Sequence, residues 1–145
     1  MSKPSERKKA RHLLVQALYQ WRMSGNALVD IDAEFRTDND MSKVDVDFFQ
    51  EIFHGVPKRI GEIESAYKPY LDRELDGLDP IARAVLEVGC YEMLFRLDVP
   101  YKVVINEAVS LAKKFGATDS YKYINGVMDK VAADKRAIEV KAARN

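Results

Sequence analysis

Asp79-Pro80 opens a stretch, PIARAVLEVGCYEMLF, whose apolar residues recur at helical rather than strand spacing. An N-cap Asp followed by Pro at the first helical position is a strong start signal, because the carboxylate accepts orphan N–H groups and Pro lacks one of them. Ile81, Ala84, Val85, Val88, Tyr91, Leu94 and Phe95 then cover so wide a sector that this segment reads as a central helix, apolar on most sides. A chain built around such a helix needs others packed against it.

The rest of the sequence supplies them. Ala10, Leu14, Ala17, Leu18 and Trp21 form one stripe of an opening helix that Gly25-Asn26 stops. Leu28, Ile31 and Phe35 suggest two further turns, and TDNDMSK at 37–43 reads as a loop. A third helix starts near Asp45 or Asp47 and carries Phe48, Phe49, Ile52, Phe53, Val56, Ile60 and Ile63, with a kink or break expected just before Pro57. After Val99-Pro100, a helix bears Val104, Ala108, Leu111, Ala112 and Phe115, closed by Gly116 as a C′ residue. Thr118 or Asp119 caps a last long helix with Ile124, Val127, Met128 and Val131, and the tail KAARN is expected to fray. No segment alternates with period two. The expected fold is all-α, with six or seven helices in one domain over 1–145 and sub-bundles of roughly 1–66 and 67–145.

At 145 residues, 47% hydrophobic and 32% charged, the chain fits one ordinary globular domain. No apolar run reaches the roughly 18 to 20 residues a membrane span needs, and no secretory signal pattern is present. A single cysteine, Cys90, excludes an intramolecular disulfide and fits a reducing cytoplasm. With only His12 and His54 beside it, a structural zinc site lacks ligands. Gly-rich phosphate loops, nucleophile–base pairs and metal-ligand spacings are missing, so neither catalytic residues nor cofactors are expected.

The net charge of zero conceals an uneven distribution. Lys3, Arg7, Lys8, Lys9, Arg11 and Arg22 crowd the first 22 residues, whereas 26–51 is strongly acidic. Cations at a helix start oppose a dipole equivalent to roughly half a positive charge, so their placement needs a reason. In projection Lys8, Arg11, His12, Val15, Tyr19 and Arg22 share one flank of the opening helix. A cationic flank with an aromatic ring suits single-stranded nucleic acid, phosphates on Lys and Arg and a base on Tyr. A solvated basic face, or a surface for an acidic protein partner, fits the same residues. A second cluster, FGATDSYKYINGVMDK, brings Phe115, Tyr121 and Tyr123 near Lys122 and Lys130. The two tyrosines lie about 200° apart on a helix, so at least one should face solvent or a ligand.

ARHLLVQALYQW, AVLEVGCYEMLFRLDVPYKVVINEAVSLAKKFG and SYKYINGVMDKV together closely resemble the NusB family of bacterial transcription antitermination factors, over essentially the whole chain. The resemblance implies an all-helical protein of two sub-bundles that binds boxA RNA. It implies a heterodimer with the small-subunit ribosomal protein called NusE in this role. Within an RNA polymerase elongation complex with other Nus factors, that pair suppresses termination, notably in ribosomal RNA operons. The family's RNA-binding positions fall on Arg7, Lys8, Lys9, Arg11, Tyr19, Phe115, Asp119 and Tyr123, and Asp76, Arg83 and Glu87 are candidate partner contacts.

Overall fold

The computed structural model describes residues 3–144. Its helices are α1 (Pro4–Ser24), α2 (Leu28–Asp38), α3 (Val46–Lys58), α4 (Ile60–Tyr67), α5 (Pro80–Phe95), α6 (Tyr101–Phe115), α7 (Ser120–Lys135) and α8 (Ala137–Arg144). Short 3-10 turns at Lys68–Tyr70 and Leu75–Gly77 bridge α4 and α5. There is no strand among the described residues, and no helix there is long and apolar enough to cross a membrane.

The buried stripe of each helix follows from its sequence period. In α1 Ala10, Leu14, Val15, Ala17 and Leu18 are fully buried, and α3 buries Phe48, Phe49, Ile52, Phe53 and Val56. At roughly 1.5–3 kcal/mol per large apolar side chain, the five α3 residues outweigh any propensity argument for that helix. Helix α5 packs on α1, α3, α4, α6 and α7, and every residue from Ala84 to Met93 is buried. The central position that its wide apolar sector predicts is where it lies. Asp79 caps it: its carboxylate accepts the N–H groups of Ile81 and Ala82, both at 3.1 Å. Asp45 likewise accepts Phe48 N–H at 3.0 Å to start α3. Gly25, with φ of 69°, ends α1 in the left-handed region that glycine adopts without penalty.

The described residues form eight α-helices rather than six or seven, and four local expectations also differ from the structure. Helix α2 runs three turns rather than two, to Asp38. The break near Pro57 falls after it, at Arg59 (φ −115°, ψ 29°), not before it. Pro57 removes an N–H bond, but fully buried Val56 keeps the preceding residues helical, and the chain turns two residues later. Gly116 is extended (φ −89°, ψ 173°), so positive φ is not its reason. A Cβ there would meet Ser120 Oγ at 2.4 Å and the Ala112 carbonyl at 2.7 Å, and close approach makes the position glycine.

The tail is the fourth. Instead of fraying, residues 137–144 form α8, while Asn145 lies outside the described residues. Polar groups dock it. The buried Arg136 guanidinium donates to the carbonyls of Met93 (2.8 Å), Val99 (3.0 Å), Arg96 (3.1 Å) and Glu92 (3.3 Å). Glu139 accepts Tyr101 N–H at 2.8 Å and pairs with Arg136 at 2.7 Å. A cation thus sits at the C-terminus of α5 and an anion at the N-terminus of α6, each on the favourable end of a helix dipole. The Tyr101 N–H, then Arg136, holds the Glu139 carboxyl below its ordinary pKa.

Candidate RNA interface

The start of α1 answers the dipole problem internally. Lys3 N–H donates to Glu6 at 3.4 Å, and carboxylates from other elements face the cations. Arg7 lies between Asp98 (3.5 Å) and Asp45 (3.7 Å). Lys8 is 3.8 Å from Glu107, while Lys9 is exposed beside Leu13 and Asp40.

Arg11 departs furthest from expectation. Only 4% of its side chain is exposed, and its Nε and one terminal nitrogen bind both oxygens of the buried Glu92 carboxylate at 2.9 and 2.8 Å. Glu107 adds a contact at 3.8 Å. Burial works against its charge, but the hydrogen bond and field of Glu92 overcome it, and the Arg11 pKa rises. Its fork is already filled by a carboxylate and is not offered to a phosphate. The guanidinium groups of Arg7, Arg11 and Arg96 also surround the Phe48 ring at 5.0, 5.1 and 5.2 Å. Arg7 and Arg11 therefore join α1 to α3, α5 and the turn after α5.

The predicted flank of α1 is accordingly narrower than drawn from the helical period. Arg11 and Val15 turn inward, and Arg22 hydrogen-bonds Glu87. Lys8, His12 and Tyr19 remain, and exposed Gln16, outside the predicted flank, joins them in the outer strip. His12 meets Phe115 edge-on, with ring centroids 5.7 Å apart. Burial first, then Lys114 and Lys8 against the opposing field of Glu107, push its pKa below the ordinary value. Farther along, Tyr19 and Phe115 line an open groove of about 500 Å³ with Val15, Gln16, Gln20 and Met23. Tyr19 is 38% exposed there, an aromatic face available to a planar ligand.

Helix α6 contributes two further cations. Lys114 lies over Phe115 at 5.8 Å and Lys113 over Tyr121 at 4.7 Å. Tyr121 rather than Tyr123 adjoins this lysine pair. Tyr123 is half-buried elsewhere, accepting Asp72 N–H at 3.2 Å beneath the Arg73 guanidinium at 4.9 Å, and it does not line the Tyr19 groove. Asp119 precedes α7 as expected but does not cap it with its side chain; it is in the left-handed region (φ 67°), exposed, and 3.8 Å from Lys122. Asp is among the few non-glycine residues that tolerate this conformation.

The candidate partner residues divide. Asp76 is exposed. Arg83 is largely engaged by Glu64 at 2.9 Å. Glu87 is fully buried against Arg22, so it is not a surface contact. Burial outweighs the fields of Arg22 and Arg83 and raises its pKa to about 7.

The NusB family model matches residues 8–133. The chain belongs to the NusB family. Among its relatives, the transcription antitermination protein NusB of Saccharophagus degradans is 61% identical over 139 residues, covering 95% of this chain and 93% of that one. The NusB of Teredinibacter turnerae is 56% identical over 140 residues, covering 96% and 95%. Solved NusB folds superpose on it. T. maritima NusB has a TM-score of 0.75 at 27% identity, covering 91% of this chain and 92% of that one. A crystal structure of the antitermination factors NusB and NusE in complex with dsRNA gives 0.77 at 23% identity, covering 89% and 97%. The second likeness is one of fold.

Proposed function

We propose that this chain is a transcription antitermination factor that works in the cytoplasm as a non-enzymatic RNA-binding adaptor. It takes a boxA-type single strand on the surface between α1 and α6. It acts with the small-subunit ribosomal protein in its NusE role, joining an RNA polymerase elongation complex on ribosomal RNA operons. The observation that carries this reading is the Tyr19–Phe115 groove adjoining a strip of cations. Phosphates sit on Lys8, Lys9 and Lys114, with Arg7 at the edge of the track. An unpaired base stacks on Tyr19, a contact a duplex would deny because its bases are already stacked. Asp119, exposed beside Lys122, accepts from a base amino group rather than meeting phosphate. Arg11 acts through its grip on Glu92, and Tyr123 through the 72–73 segment. Asp76 is the exposed candidate for the ribosomal partner.

The test is fluorescence anisotropy with a labelled boxA-type strand, a scrambled strand and a duplex, each with and without the ribosomal protein. The expected order places the boxA-type strand first, with the ribosomal protein increasing its lead. Equal affinity for all three RNAs in the presence of the partner overturns the proposal.

A further inference from the structure

The carboxylate of Glu107 lies among the cations at the start of α1. It projects from α6 with 23% of its side chain exposed, its Oε2 3.8 Å from Lys8 Nζ and 3.8 Å from an Arg11 terminal nitrogen. Arg11 does not require it, since Glu92 already fills the guanidinium fork with two hydrogen bonds. Nor does the Lys8–Glu107 pair hold the fold: it is longer than a hydrogen bond, and half-exposed Lys8 makes it a surface pair of small net worth. Its field reaches His12 as well, where it opposes Lys114 and Lys8. One anion therefore stands among the cations of the strip without a structural task that demands it.

We propose that Glu107 is a built-in competitor for phosphate, which lowers sequence-independent attraction of RNA to the start of α1. The inference rests on the RNA-binding reading above. Phosphate contacts carry a large share of the affinity and none of the sequence information, so weakening one of them leaves discrimination to the base contacts at Tyr19 and Asp119. Repulsive elements of this kind are a recognised route to specificity. When a strand binds, Lys8 exchanges Glu107 for phosphate, and that exchange is the cost borne by any strand without compensating base contacts.

The experiment is a double-mutant cycle on Glu107→Gln and Lys8→Gln, read by anisotropy with the boxA-type and scrambled strands at about 50 mM and 200 mM salt. Glu107→Gln is expected to tighten binding of both strands about three- to tenfold at the lower salt, and by less at the higher. In the Lys8→Gln background the gain should fall to less than about twofold. Glu62→Gln, the same charge change on α4, should give less than about twofold in either background. Glu107→Asp, which withdraws the charge by one methylene, should give a smaller gain than Gln and serves if Gln impairs folding. If wild-type protein binds with a clear salt dependence but Glu107→Gln binds no tighter, or gains equally without Lys8, the inference is overturned and the RNA reading stands. If wild-type protein binds no RNA, both fall together.

Discussion

Replacing Arg11 by Met distinguishes a phosphate ligand from a buried brace. The substitution keeps the aliphatic stem, removes both hydrogen bonds to Glu92, and leaves that carboxylate 1% exposed without its main counter-charge. Breaking a buried pair on one side costs about 3–5 kcal/mol. With a urea m-value of roughly 2 kcal/mol/M, the unfolding midpoint should drop by about 1.5–2.5 M. Arg11→Met with Glu92→Met removes both charges and should recover most of that loss, to within about 2 kcal/mol of wild type. Urea unfolding followed by helical circular dichroism measures all three variants. The folded double variant should also keep the wild-type salt slope for RNA, because no phosphate contact has been removed. If Arg11→Met costs under about 1 kcal/mol while lowering that slope by about 0.7, the side chain is a phosphate ligand and the brace argument is wrong.

Two further outcomes follow from the buried polar groups. Arg136→Met should destabilise by about 3 kcal/mol in the same assay, since the Met93 and Val99 carbonyls lose the guanidinium that donates to them; a loss below about 1 kcal/mol would mean that α8 docks by other means. For Glu87, the folded pKa of about 7 stands above the ordinary carboxyl value of 4.5. Its protonated form therefore contributes stability that is full below about pH 4.5 and lost as pH rises through about 7. Glu87→Gln stays neutral, so it should gain about 3 kcal/mol relative to wild type between pH 4.5 and 8, measured by urea unfolding at each pH. A difference that does not move with pH would contradict the burial argument.

The sequence carried the helices where local signals and packing agreed. Asp79-Pro80, Gly25 and the α3 aromatic run all read correctly, because cap chemistry and a 3.6-residue period are local properties. Helix α8 has no local signal in the sequence, because Val140 is its one buried apolar residue and the groups that dock it lie about 40 positions away. Arg11 reads as a surface cation because the period sets it beside Lys8, and nothing local announces a partner on α5, 81 positions on. For the same reason nothing local singles out Lys113 and Lys114: the strip exists only where α1 meets the end of α6. Tyr19 and Phe115 were legible as aromatic candidates, and the fold supplies the groove they share. Their pairing is tertiary information.

The central claim is that lysines from two helices hold the phosphates of one strand. It is tested most directly by the salt dependence of binding to the boxA-type strand, measured by anisotropy for wild type, Lys8→Gln, Lys114→Gln and the double variant. Each lysine that neutralises a phosphate contributes about 0.7 to the slope of log affinity against log salt. Each single variant should therefore flatten the slope by about 0.7 and the double variant by about 1.4. A wild-type slope near zero, or a Lys114→Gln slope equal to that of wild type, would contradict the account.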